Sequence, residues 1–262
     1  MAVGGECRLA DGRVVVVRLA GPADVPAIAE LYRELSPESF VRRFHGGRPA
    51  PSLLARLASI GSGTVCLVAA PSADPGRLAA EARYIAVGSG TAELALTVSD
   101  GYQGAGLGHL LLQALVQRAR EGGLQRLRAI VLLDNAPMLH LLQGYGWVLA
   151  APTEEFRVAC LEISVAGGMP GWPADSPGRR VLVERRGWFE DRQAAALRVA
   201  GNDVRQCLGP LPGVRACALL SSGECRLAEQ ADLIVNLLPA DDPDCAAVRA
   251  AHRRRWPHRL AD

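Results

Sequence analysis

The stretch Thr97-Val98-Ser99-Asp100-Gly101-Tyr102-Gln103-Gly104-Ala105-Gly106-Leu107-Gly108 constrains this chain most. An apolar, strand-like run passes here into a helix-like one, with four glycines between positions 101 and 108. Glycine lets the backbone turn sharply and bring its N–H groups up to a ligand. A helix starting directly afterwards adds unpaired donors and the positive end of its dipole. The segment therefore predicts a strand, an anion cradle and a helix, although a bare turn would look similar if it stood alone. It is not a dinucleotide fingerprint, because an antiparallel hairpin precedes it: residues 80–87 and 92–98 flank Gly88-Ser89-Gly90. It is not a P-loop, because no Gly-Lys-Ser/Thr follows.

The rest of the chain up to residue 166 supplies further elements around that loop. The β-branched run 13–19 predicts a strand. Residues 24–35 carry apolar side chains at helical spacing, and Ser36-Pro37 ends that helix. A second helical stretch covers 51–60, and 64–70 is a strand. The loop helix runs from Gly106 to Gly122, followed by a strand at 128–133, a short helix at 135–143 and a last strand at 156–165. The order β-α-α-β-β-β-α-β-α-β-β is an α+β pattern, a mixed, mostly antiparallel sheet flanked by helices.

Ala166 to Gly178 holds four glycines and three prolines and reads as a linker. The expected domains are residues 1–166 and 179–262, joined by 167–178. In the second, strands at 180–184, 203–207 and 232–238 alternate with helices at 189–199 and 245–255. That alternation suggests a small α/β domain, an incomplete doubly wound one. Gly187-Trp188-Phe189 puts two aromatics at a helix start, either buried or as an interface anchor.

Composition narrows the functional classes. A formal net charge of +2 gives no footprint for nucleic acid or an acidic membrane. Lysine is absent, so every basic side chain is arginine. No apolar stretch is long enough to span a bilayer and no leader is apparent at Met1 to Asp11, which together predict a cytoplasmic protein. The cysteines at 207, 217, 225 and 245 lack the C-x2-C knuckle of a strong zinc site, so buried thiols are the default and a metal site or redox switch the alternative. No metal is expected.

With these residues in place, the chain resembles a known family. Gln103-x-x-Gly106-x-Gly108 after Ala92-Glu93-Leu94-Ala95-Leu96-Thr97-Val98, with Asn135 ahead of Gly146-Trp147, is similar to the acetyl-CoA motifs of the GNAT superfamily. Leu35-Ser36-Pro37-Glu38-Ser39, Arg42-Arg43-Phe44 and Ala82-Arg83-Tyr84 resemble bacterial protein-lysine acetyltransferases of the Pat type. The resemblance implies that the backbone amides of Gln103, Gly104, Ala105, Gly106, Leu107 and Gly108 hold the CoA pyrophosphate. It also implies that Leu96, Thr97 and Val98 pair with the pantetheine arm and that Asn135 contacts it or the adjacent backbone. Acetyl-CoA is thus the expected cosubstrate and a protein the expected acceptor, by the same resemblance an acyl-CoA synthetase. The region after 179 would then be regulatory or protein-binding.

Acyl transfer needs a neutral amine, so a base must take a proton. Glu93, between apolar neighbours and in the segment that matches the Pat type, is the expected base. A Tyr general acid, common in the family seven residues after the Asn, is replaced here by Leu142, and Tyr145 falls in a turn. Residues 38 and 42–45 lie where the family shapes its acceptor site, with a solvated helix end as the other reading. Glu81 and Asp100 read as surface and hairpin groups, His109 as solvent-facing, His140 as structural, and Arg253 to Arg255 as a solvated helix end. A small-molecule amine acceptor, or a CoA-responsive binding module without turnover, are the rival readings.

Overall fold

In the computed structural model, residues 4–47, 50–88, 90–143, 145, 148–152, 158–186, 192–210 and 217–261 are described. Two compact units are present, Met1–Leu127 and Arg128–Asp262.

The first unit begins with β1 (Glu6–Arg8) and β2 (Val14–Leu19), then the helices α1 (Val25–Glu34), α2 (Pro37–Phe44) and α3 (Pro51–Ala58). Strands β3 (Thr64–Pro71), β4 (Ala80–Gly88) and β5 (Thr91–Val98) follow, then α4 (Leu107–Glu121) and the start of β6 (Arg126–Leu132). The order β1-β2-β3-β4-β5 is antiparallel throughout. Ser36 both ends α1 and starts α2: its Oγ accepts the Ser39 amide at 3.2 Å, and Pro37 takes the first helical position. The helix α2, read from sequence only as a helix end, is a separate element closed by His45 in the left-handed region, φ 58°.

Side chains alternate across a strand, and residues directly opposite in an antiparallel pair share a face. Glu81, Arg83 and Ile85 of β4 pair with Thr97, Ala95 and Glu93 of β5 and so line one face. Hydrogen bonds from α1, α2 and α3 converge on that face. Tyr84 lies on the other face, where its hydroxyl donates to the Arg118 carbonyl of α4 at 3.5 Å. Beneath α1–α3, Ile28, Leu31, Tyr32, Leu35, Phe40 and Leu54 pack on Cys66, Val68 and Ala70 of β3.

The second unit holds most of β6, then α5 (Ala136–Gln143), β7 (Val148–Pro152), β8 (Val158–Ser164), β9 (Arg180–Glu184), α6 (Arg192–Val199) and β10 (Asp203–Cys207). It continues through α7 (Ala218–Ser221), α8 (Arg226–Gln230), β11 (Leu233–Asn236), α9 (Pro243–Arg255) and β12 (Leu260–Ala261). Strands β10-β9-β11-β12 are parallel. In chain order this is 2-1-3-4, the start of a flavodoxin-like doubly wound sheet, as the strand–helix alternation suggested. Both faces are buried, Val181, Val183 and Val235 toward one cluster and Leu182 and Ile234 toward the other, as a parallel sheet requires. Gly187, Trp188 and Phe189 lie outside the described residues, as do Ser89, Gly144, Gly146, Trp147 and Phe156.

Two features differ from the sequence reading of a tether at 167–178. Trp172 is buried, its indole N–H donating to the Leu227 carbonyl and its backbone N–H donating to Gln230 Oε1, both at 2.8 Å. Moreover β7 pairs antiparallel with both β8 and β10, and Arg205 of β10 reaches the buried Glu162 of β8 at 2.6 Å. The contacts therefore part at 127/128, inside β6, and not at the Gly/Pro segment. Among the described residues no helix is long and apolar enough to cross a membrane, and no group of His, Cys, Asp and Glu side chains suits a metal ion. Cys207 and Cys225 sit in an apolar cluster with Cys217 packed against it, and burial pushes the Cys225 thiol up to about 12. Arg253, Arg254 and Arg255 are exposed at the end of α9.

A chain cut after Val165 strips Glu162 of Arg205 and leaves a carboxylate in the interior without that partner. It is expected to melt below the full chain, with a smaller deficit when Glu162 is replaced by Gln. Equal melting temperatures would show that residues 1–166 stand alone.

Candidate active site

The first unit builds the loop from local sequence. After β5, a single 3-10 turn (Asp100–Tyr102) carries the backbone to Gly104 and Gly106, both left-handed at φ 74° and 86°. A side chain at either position would be strained by its backbone, yet a Cβ there would meet nothing within 4 Å, so the space before the loop is open. Ala105 and Leu107 are buried and pin the loop from behind, and the Ala105 carbonyl accepts the Ala10 amide at 3.1 Å.

The amides of Gly104, Ala105, Gly106, Leu107 and Gly108 find no acceptor among the described residues. Helix α4 starts on Gly106, which has no side chain to cap it. These donors, at the positive end of a helix of 15 residues, form an anion cradle. Gln103 differs from the sequence expectation: its amide is already given to the Asp100 carbonyl at 3.3 Å. Its side-chain Nε2 donates to the Val98 carbonyl at 3.2 Å and Ser39 Oγ at 3.1 Å.

Asp100 and Glu81, read from sequence as surface groups, both prove to be structural centres. Asp100 is exposed, but its carboxylate takes the Ser36 amide at 2.8 Å, the Ser36 hydroxyl at 2.9 Å and the Ser39 hydroxyl at 2.5 Å. It bolts the N-terminus of α2 to the entry of the cradle. Burial alone would raise this carboxyl, but the Ser39 and Ser36 hydrogen bonds outweigh it and hold the group below its ordinary 3.8.

Glu81 is fully buried. It accepts from Arg83 Nε, from the Tyr32 hydroxyl at 3.1 Å and from Cys66 Sγ at 3.5 Å. Arg83 in turn donates to the carbonyls of Leu57, Ala58 and Ser59, at the C-terminus of α3. Burial, then the neighbouring Glu81 carboxylate, pushes the Tyr32 and Cys66 groups up, so both stay protonated.

Glu93 lies on the same face as Glu81 but four residues from Thr97 along β5, about 13 Å away. It is exposed: Ala92 and Leu94 point to the opposite face, and its neighbours on its own face include Ala95 and the exposed Ile85, which leave it open to water. Leu96 and Val98 are half-buried on the α4 side, and Thr97 is buried on the other face, its hydroxyl accepting Arg43 Nε at 2.9 Å. That contact, and the packing of the Arg43 guanidinium 4.7 Å from the Phe44 ring centroid, were not legible in the sequence. Asn135 heads α5 in the second unit, where its Oδ1 accepts the Met138 amide at 3.3 Å as a helix cap. Leu142 is fully buried.

An uncapped glycine loop at a helix N-terminus, behind an antiparallel sheet, suits an enzyme that takes a phosphate-bearing cosubstrate. Residues 28–147 match the Acetyltransferase (GNAT) family. The chain belongs to that family. Over 149 residues it is 34% identical to the acetyltransferase Pat of Mycolicibacterium smegmatis, a match that covers 55% of this chain and 44% of that one. It therefore spans under half the length of that relative. Over 145 residues it is 30% identical to the acetyltransferase PA5475 of Pseudomonas aeruginosa, covering 53% of this chain and 78% of that one. Among solved structures, the GNAT domain of S. lividans PAT superposes with a TM-score of 0.53 at 28% identity, over 61% of this chain and 96% of that domain.

Two outcomes are expected. Arg83→Ala leaves the Glu81 carboxylate buried without its main partner, and urea denaturation should show a loss of about 3–5 kcal/mol. Asp100→Asn should lower the melting temperature at neutral pH. Because the folded carboxyl titrates below 3.8, that difference is fully present above this value and shrinks as the pH falls through the folded one. A difference that persists unchanged into strong acid would remove Asp100 as the clamp.

Proposed function

We propose that this chain transfers the acetyl group of acetyl-CoA to the ε-amine of a lysine on a protein. The amides of Gly104 to Gly108, which find no acceptor among the described residues and head α4, carry the reading. On it, they and the α4 dipole hold the CoA pyrophosphate, with Gln103 giving its amide to the loop and its side chain to the loop's frame. The backbone of Leu96, Thr97 and Val98 pairs with the pantetheine arm and offers an N–H to the developing oxyanion. Asn135 keeps its role at the pantetheine through the carboxamide nitrogen that its capping bond leaves over. Membership of the GNAT family and the likeness to Pat support the cosubstrate.

Glu93 is the general base of this proposal. Its exposure suits a carboxylate that takes the proton of the incoming ammonium through a water. The neutral amine attacks the thioester carbonyl, the C–N bond forms, the C–S bond breaks, and the departing thiolate picks up the released proton. Leu142 stands where the family's Tyr acid would, so the mechanism does not depend on an acid at that position. The exposed helix α2 and the arginines on it favour a protein acceptor, such as an acyl-CoA synthetase, over a polyamine, which they would repel. The residues from 179 onward are assigned a regulatory or protein-binding role, and residues 1–166 the catalytic one. The cysteines, all thiols, suit the reducing cytoplasm in which we place the reaction.

Thiol release from acetyl-CoA, followed with a lysine-bearing protein acceptor and with a panel of small amines, tests the assignment. Glu93→Gln is expected to cut turnover by about 10²–10⁴-fold while acetyl-CoA binding, read by calorimetry, is kept. Release only with small amines would sink the protein acceptor. Full turnover in Glu93→Gln would sink the base.

A further inference from the structure

Arg43 lies in the last turn of α2, half-buried, and makes no ion pair among the described residues. Its neighbour Arg42 differs, being paired with Glu38 at 2.6 Å. A cation half withdrawn from water without a counter-ion is costly to keep. Its posture is nevertheless fixed. Nε donates to Thr97 Oγ1 at 2.9 Å, and the guanidinium lies 4.7 Å from the Phe44 ring centroid and 5.7 Å from that of Tyr32.

These contacts use one N–H and leave both terminal nitrogens, the planar fork that matches a carboxylate. The fork does not belong to the phosphate cradle. Thr97 and Arg43 are on the face of β4 and β5 covered by α1–α3, whereas α4 packs on the opposite face through Tyr84. It is on the same face of the sheet as Glu93, the side from which the acceptor amine would reach that base on the proposed mechanism.

We infer that Arg43 binds an acidic side chain of the acceptor beside the lysine that is acetylated, so that the enzyme selects lysines flanked by Asp or Glu. This deepens the protein-lysine reading and rests on it. The test uses the full chain, acetyl-CoA and three matched lysine peptides whose flanking residues are Asp and Glu, Ala, or Arg. The wild type should favour the acidic over the Ala-flanked peptide by about tenfold in kcat/KM, the discrimination expected of a charge-assisted hydrogen bond. In Arg43→Gln that ratio should fall to near one. In Arg43→Glu the preference should pass to the Arg-flanked peptide, a reversal that misfolding cannot mimic.

Three results overturn the inference alone: equal rates on the three peptides in the wild type, an unchanged ratio in Arg43→Gln, or a loss explained wholly by weaker acetyl-CoA binding in calorimetry. Acetylation of small amines but of none of the peptides would overturn the protein-lysine reading and the inference together.

Discussion

On the acceptor side of the first unit, the structure depends on a carboxylate and a guanidinium buried two residues apart on β4. Desolvating Glu81 and Arg83 is tolerable only because both groups are hydrogen-bonded on several sides, Arg83 through all three of its nitrogens. Glu81 gathers Arg83, Tyr32 of α1 and Cys66 of β3. Arg83 spends its remaining donors on the three carbonyls that end α3. Those carbonyls form the negative end of a helix, so the cation also meets a favourable dipole. A single pair thus fixes the positions of two helices and one strand against β4, and the aromatic cluster of Tyr32, Phe40 and Phe44 packs on the frame it sets.

Helix α2 is held at both ends against β5 and its loop. Asp100 grips Ser36 and Ser39 at its N-terminus, and Thr97 receives Arg43 near its C-terminus. Both anchors sit on the segment that leads into the glycine loop, so helix α2 and that loop are tied together. Gln103 completes the link, bridging Val98 and Ser39 with one side-chain nitrogen. A residue expected to serve the cofactor through its amide therefore serves the frame.

In the second unit the parallel sheet and the antiparallel β7–β8 pair are not independent. The buried Glu162–Arg205 pair spans them, and Trp172 roots the intervening Gly/Pro segment in the cluster around Leu227. A segment rich in glycine and proline is flexible only when nothing apolar in it finds a pocket. Met169 and Trp172 both do.

The sequence by itself determined the glycine loop and most of the elements, with β1, α2 and β7 among the exceptions. Runs of β-branched residues, helical periodicity, and glycines where the backbone turns left-handed are local properties, and Gly104 and Gly106 adopt the conformations that only glycine takes cheaply. It also determined that Glu81, Arg83 and Ile85 share a face, because strand periodicity is local too. What it could not determine is which part of that face is covered. The three helices close over Glu81 and Arg83 but leave Ile85 43% exposed. The same alternation gave Glu93 apolar neighbours in sequence and placed two of them, Ala92 and Leu94, on the opposite face in space. Burial, and with it the roles of Glu81, Asp100 and Arg43, was decided only by tertiary packing, since desolvation and pairing depend on groups distant in sequence, with separations of 49 for Tyr32 and Glu81, 54 for Arg43 and Thr97 and 64 for Ser36 and Asp100.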